Sequence, residues 1–241
     1  ETTDNPTHIS QMKTLSPKTY IYTGFDNDKK RKFSHDAQHV EYSENVTRIK
    51  TEAFREFKRI TSIIHPNSIT IIGDEAYSGC SGLENLRLSS SLQTIGVESF
   101  ASCSSIAMLE LPPTLHTIKK QGFWDCTLLR VIAPQQHHEP LSLKTIEEEA
   151  FACCTSITSI PHFPHLVTIG PDAFYACNSL TEVTLGPSVA SAARNSFDYC
   201  NSLAVLQCTY RTYVILPWKL THVTVDPETT HIHTSAFAGC D

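Results

Sequence analysis

Apolar residues recur along this chain in registered columns with a period of about 23 residues, the length of one small structural repeat. One column holds Ile60, Leu83, Ile106, Leu129, Ile157, Leu180 and Leu203. Three residues on, a second holds Ile63, Leu86, Leu109, Ile132, Ile160, Val183 and Leu206. A third reads Ile49, Ile72, Ile95, Ile118, Ile146 and Ile169, weakens to Ala192 and returns at Ile232. Aromatic residues form a fourth: Phe54, Tyr77, Phe100, Phe123, Phe151, Phe174, Phe197 and Phe237. Three places after each aromatic comes a cysteine, except that Phe57 takes this position in the first unit. The cysteine intervals, from Cys80 to Cys240, are 23, 23, 28, 23, 23 and 40.

The consensus is L-x-x-L-x-L-P-x-x-L-x-x-I-x-x-x-A-F-x-x-C-x-x. Its L-x-L part alternates, which predicts a short strand with the leucines turned inward. In A-F-x-x-C the aromatic and the thiol are three apart, which suits one turn of α- or 3₁₀-helix. Each unit is thus expected to be one coil: a strand, a corner, a second extended piece around the isoleucine, and a helical turn. No coil can cover its own apolar side, so stability must come from stacking each column on its equivalents above and below. Burial of one such side chain contributes on the order of 1.5–3 kcal/mol. The expected fold class is an α/β repeat.

A short repeat of this length with an L-x-x-L-x-L opening carries the leucine-rich-repeat signature. The strings Ile95-Gly96-Val97-Glu98-Ser99-Phe100-Ala101-Ser102-Cys103 and Ile169-Gly170-Pro171-Asp172-Ala173-Phe174-Tyr175-Ala176-Cys177 closely resemble the BspA-type, or treponemal-type, leucine-rich repeat. The resemblance covers residues 37 to 241. It implies a curved right-handed solenoid with a parallel sheet on the concave side. It also implies a non-enzymatic adhesin-like module, on the cell surface or secreted, that binds a host or matrix protein.

Residues 1–36 lie outside the repeat and are expected to form an N-terminal cap containing a strand near Tyr20-Ile21-Tyr22-Thr23. The longer interval between Cys126 and Cys154 places an insertion near residues 135–140, expected to be a surface loop. Residues 203–219 form a shortened unit that lacks its A-F-x-x-C and carries Tyr210, Tyr213, Pro217 and Trp218 instead. The first residue is Glu1, so the expectation is a mature or trimmed chain. No C-terminal cap is visible after Cys240.

Composition narrows the function. Of 241 residues, 40% are hydrophobic and 18% charged, enough apolar material for a core; the net charge of −6 gives no general attraction to nucleic acid. No apolar run approaches the roughly 18–20 residues of a membrane span.

Candidate chemistry is sparse. Such long, regular intervals between cysteines are unlike metal-ligand spacings, so the column thiols are expected to be small buried apolar groups. Cys153 and Cys208 stand outside the column and are expected to be the accessible thiols. His137 and His138 with His162 and His165 could approach one another across adjacent coils, yet no carboxylate or cysteine joins them at a ligand-like spacing. No cofactor, no metal and no catalytic motif is expected. The basic run Lys29 to Lys32 reads as a solvated loop, with Asp26 and Asp28 diluting its field. Asn45-Val46-Thr47 matches a glycosylation acceptor by chance-level criteria.

The strand face remains as the expected contact surface. Its outward positions fall in two columns. Ile64, Arg87, Glu110, Ala133, Pro161, Thr184, Gln207 and Thr224 form one. Ser62, Asn85, Met108, Val131, Ser159, Glu182, Val205 and His222 form the other. Apolar groups where solvent is expected tend to mark an interface. The candidate binding residues are Ile64, Arg87, Met108, Glu110, Val131, Ala133, Glu182 and Val205. The expected partner is a protein, with extracellular matrix as the leading class. The alternative is a self-assembling scaffold whose copies join into a homo-oligomer.

Overall fold

The computed structural model describes residues 19–24, 37–136, 139–186, 188–193, 195–208 and 222–224, with side chains as far as Leu206. The chain winds as a stack of about seven coils. Most repeats contribute two strands. The first set comprises β1 (Thr19–Tyr22), β2 (His39–Tyr42), β4 (Ser62–Ile64), β6 (Asn85–Arg87), β8 (Met108–Leu111), β10 (Val131–Pro134), β13 (Glu182–Leu185), β15 (Val205–Cys208) and β16 (His222–Thr224). The second set is shorter, two residues each: β3 (Arg48–Ile49), β5 (Ile71–Ile72), β7 (Thr94–Ile95), β9 (Thr117–Ile118), β11 (Thr145–Ile146), β12 (Thr168–Ile169) and β14 (Ser191–Ala192).

All pairing is parallel and in register with the repeat. On the long-strand side Ser62 faces Asn85, Val131 faces Met108, and Glu182 faces Val205. Ser159 bridges Val131 to Glu182, carrying the ladder across the repeat that lacks a full strand. The β1 strand joins β2, β4 and β6 in a four-stranded sheet, with Thr19 opposite His39, while β8 pairs with β10 and β13 with β15 and β16 in separate ladders on the same side. The short strands form a separate seven-stranded sheet. Alternation explains the sidedness: Leu109 is fully buried, while Met108 and Glu110 on either side of it face solvent.

The core lies between the coils. Phe54, Tyr77, Phe100, Phe123, Phe151, Phe174 and Phe197 form one continuous ring stack, with centroids 5.1–5.4 Å apart and planes within 11° of parallel. Ring planes in contact are about 3.5–4.0 Å apart, so each ring is slid sideways by roughly 3–4 Å over the next. Slid stacking avoids the face-to-face repulsion of ring quadrupoles. Beside the rings runs a column of free thiols. Each donates its S–H to the carbonyl of the aromatic residue one coil earlier, from Cys80 on Phe54 to Cys200 on Phe174, at 3.1–3.3 Å. These cysteines are buried groups with one weak hydrogen bond each, as their spacing suggested.

The A-F-x-x-C segment differs from expectation. Among the described residues there is no α- or 3₁₀-helix, and this segment is a run of turns. Glu98 and Ser102 have φ of 51° and 56°, and their equivalents repeat in neighbouring coils, as at Glu75 and Asp125. Left-handed residues spaced four apart interrupt a helical ladder and turn alternate amides along the stack. The N–H groups of Glu98, Phe100 and Ser102 therefore donate to Lys120, Gly122 and Trp124 of the following coil, at 2.7–2.9 Å. Those of Ala101 and Cys103 close local turns on Glu98 and Phe100. The F-x-x-C spacing is common to a helical turn and to two successive β-turns. The hydrogen bonds gained between coils decide in favour of turns.

Candidate functional site

The long-strand face brings most of the expected contact residues together. Met108 and Val131 are register partners on β8 and β10, and Glu110 and Ala133 are the next outward pair. Ile64 is opposite Arg87 across β4 and β6. Paired strands lie about 4.8 Å apart, and β6 packs beside β8 without pairing to it, so these six side chains fall on the same side of the coil stack in two ladders. Ile64 is 61% exposed, Met108 51% and Val131 44%. Arg87 and Glu110 are exposed, and Ala133 is half-buried. Glu182, exposed, and Val205, half-buried, pair with each other on the far side of Ser159. They belong to the same face but form a second, more polar area. The side chains of Gln207 and Thr224 fall outside the description.

One apolar contributor lies outside the expected set. Ile21 on β1 is 54% exposed and pairs with Glu41, one strand from the Ile64 position. It was legible only as part of an extended Tyr20–Thr23 segment, because residues before the repeat carry no column to give them a face.

Behind Ile64 sits a buried polar cluster. The Nε2 of His65 is 2.8 Å from the Tyr77 hydroxyl, which is itself 2.8 Å from the Tyr42 hydroxyl. The backbone N–H of Lys50 donates to the Tyr22 hydroxyl at 2.9 Å. Burial drives the His65 imidazole down to about 3, with hydrogen bonding to the Arg87 backbone offsetting part of the effect. It also drives the Tyr42 and Tyr77 hydroxyls well above their ordinary range. All three groups are thus neutral at physiological pH and serve to lock the first coils together. The signal in the sequence is Tyr77, the tyrosine in a column otherwise held by phenylalanine.

The remaining candidates resolve as follows. His162 and His165 are exposed, while His137 and His138 lie outside the described residues. Among the described residues no three His, Cys, Asp or Glu side chains converge as a metal site would require. Cys153 is half-buried and more open than the column thiols; burial, then the nearby Asp125, raise its thiol above the usual range. The side chain of Cys208, Cys240, the Lys29–Lys32 run, the region near Trp218 and the last coil lie outside the described residues. Among those described, no helix is long and apolar enough to cross a membrane.

Comparison with known proteins accords with this architecture. The solved leucine-rich repeat protein of T. pallidum is 26% identical and aligns over 66% of this chain and 72% of its own, with a TM-score of 0.54. A leucine-rich cell surface protein from Faecalibacterium prausnitzii is 22% identical over 73% of this chain, with a TM-score of 0.51; the match spans 55% of that protein. No curated protein matches the chain. The model of the BspA type leucine-rich repeat region matches in six copies over residues 31–139 and 137–241. With its columns, parallel coils and aromatic stack in agreement, the chain belongs to the BspA-type leucine-rich repeat family.

Proposed function

We propose that this protein is a non-enzymatic binding module whose long-strand face holds another protein. The observation that carries the reading is the exposure of Ile64, Met108 and Val131 on the long-strand side of the coil stack, beside Arg87 and Glu110. Large apolar groups that face solvent on a rigid surface supply binding energy without a cost of ordering, and a few such anchors dominate most interfaces. Arg87 and Glu110 flank them and would set orientation and reject wrongly charged partners. The cell-surface description of the F. prausnitzii relative supports display outside the cell, where a matrix protein is the fitting partner class for an adhesin.

The test is the double variant Met108→Lys with Val131→Glu, assayed for capture of extracellular matrix proteins. Thermal stability should stay within about 0.5 kcal/mol of the parent, because both side chains are on the surface. Capture should fall at least tenfold, the equivalent of about 1.4 kcal/mol. Undiminished capture rejects this face. If the pure protein instead self-associates at tens of micromolar and the double variant is monomeric, the face joins copies of the chain.

A further inference from the structure

The short-strand side of the stack carries a second site. Arg48, Lys50 and Lys119 line a cavity of about 460 Å³, together with the backbone of Gly73 and Gly96. The size is within the range of small-ligand sites, about 300–1,000 Å³. The glycines are required by close approach of the coils. A Cβ on Gly73 would lie 2.7 Å from the backbone nitrogen of Thr51, and one on Gly96 would lie 2.7 Å from that of Asp74. Thr51 and Asp74 therefore present their amide edges beside the cavity they help to line.

The corner of the coil repeats this amide at Thr51, Asp74, Val97, Lys120 and Glu148, and Pro171 takes the position in the coil after that. Two of the five are satisfied by carboxylates of neighbouring coils. The Val97 N–H donates to Asp74 Oδ1 at 2.8 Å, and the Lys120 N–H donates to Glu147 Oε2 at 3.0 Å. The N–H groups of Thr51, Asp74 and Glu148 donate to no acceptor among the described residues, and of these Thr51 and Asp74 line the cavity. The molecule thus shows twice which group suits this corner, and leaves two copies of it unmatched at a basic cavity.

We propose that this cavity binds the carboxylate of an acidic peptide segment, with the Thr51 and Asp74 amides as donors and Arg48 and Lys119 as counter-charges. Successive coils are about 4.8 Å apart, so the two oxygens of one carboxylate can span the two amides. A charge-assisted bond to each is roughly twice as strong as a neutral one. Asp74 opposes the ligand with its own carboxylate, but that group is engaged by the Val97 amide, and Arg48 and Lys119 outnumber it in a chain whose net charge is −6. Ile71 and Thr94 add half-buried surface for the methylenes of a glutamate side chain. A peptide is favoured over other carboxylates because both internal occupants of the corner are amino-acid side chains, one Asp and one Glu. The site is independent of the sheet face, so either can fail alone.

The experiment is amide chemical-shift titration of the full chain with N- and C-terminally blocked Glu-Glu, blocked Gln-Gln and a glucuronate oligosaccharide. The expected result is saturable shifts at Thr51 and Asp74 with Glu-Glu and none with Gln-Gln. In the Arg48→Gln, Lys119→Gln variant the Glu-Glu affinity should drop about tenfold, near 1.4 kcal/mol. Unmoved Thr51 and Asp74 signals, or equal response to Glu-Glu and Gln-Gln, overturn the site. Tighter binding of the oligosaccharide than of Glu-Glu overturns the choice of a peptide. The comparison of ligands on the parent protein decides the matter even if the double variant folds poorly.

Discussion

The rings of Phe123 and Phe151 lie 5.4 Å apart and 4° from parallel, although the chain takes a longer path between them than between any other neighbours in the stack. The described residues of the insertion, Gln136, Glu139 and Pro140, are exposed. On the near side of the insertion the Gln135 backbone N–H donates to the Leu111 carbonyl at 2.9 Å, and its side-chain amide reaches the Leu88 carbonyl at 2.9 Å. On the far side Leu143 is fully buried. Removing Gln136 to Pro140 should change stability by no more than about 1 kcal/mol, since loop-closure entropy depends weakly on length. Phe123→Ala should cost about 3–5 kcal/mol, the loss for a buried aromatic that leaves a cavity. Urea denaturation of both variants measures the contrast. A deletion as damaging as the cavity would show that the insertion carries part of the fold.

His65 makes the protein sensitive to acid. Its imidazole is held down to about 3 when folded, against an ordinary value near 6.5. A base with a lowered folded value contributes its full stability above the unfolded value. That contribution is lost as pH falls from about 6.5 towards 3, because the unfolded chain binds the extra proton. The expected slope from this residue is at most about 1.4 kcal/mol per pH unit in that window. His65→Gln keeps a hydrogen-bonding group opposite Tyr77 and removes the titration. Urea midpoints at pH 7 and pH 4.5 should differ less in the variant than in the parent, and equal differences would show that other groups set the acid limit.

The column thiols should be silent in the native state. Burial raises Cys103, Cys126 and Cys154 above the usual range, so little thiolate forms and no reagent can approach. Cys153 is half-buried and its thiol is also raised, but it can be reached. Alkylation followed by peptide mapping should label Cys153 at least about tenfold faster than Cys103 or Cys126. Equal labelling would mean that the coils open readily.

Backbone strain is concentrated in the turns. Ser102 has φ of 56°, and its counterpart one coil earlier is Gly79, at 73°. Left-handed backbone costs a residue with a Cβ roughly 1–2 kcal/mol, and glycine avoids that cost while losing some chain entropy. Ser102→Gly should therefore raise stability by up to about 1 kcal/mol, and Ser102→Val should lower it by about 1–2 kcal/mol. Thermal melts of the pair check the sign, and a destabilised glycine variant would contradict the strain.

The coil architecture was readable from the sequence because every coil contributes the same columns. Ile95, Phe100, Cys103, Ile106 and Leu109 lie inside for the same reason as their equivalents on either side, and period two around Leu109 correctly turned Met108 and Glu110 outward. The turns were harder. Phe100 and Cys103 are three apart in a helix and in paired β-turns alike, and the choice depends on hydrogen bonds between coils that a linear pattern does not display. The glycine at position 79 was the local hint. The basic cavity was not foreseen because Arg48 and Lys119 belong to coils far apart in the chain and meet only after the coils stack. The unmatched amides of Thr51 and Asp74 are invisible in any list of side chains.

In the A-F-x-x-C turns, the backbone amides that bond to another coil's carbonyls point towards the next coil along the chain, from Glu52 onto Asp74 through to Ala176 onto Asp198. This strip of the surface consequently has a direction, with nitrogens and their hydrogens on its leading rim and oxygens on its trailing rim. Two copies brought together by their leading rims would oppose donor to donor. Brought leading rim to trailing rim, they would offer each other the same bonds that a coil offers its successor. Lengthwise addition, of another repeat or of another molecule, has a single permitted sense.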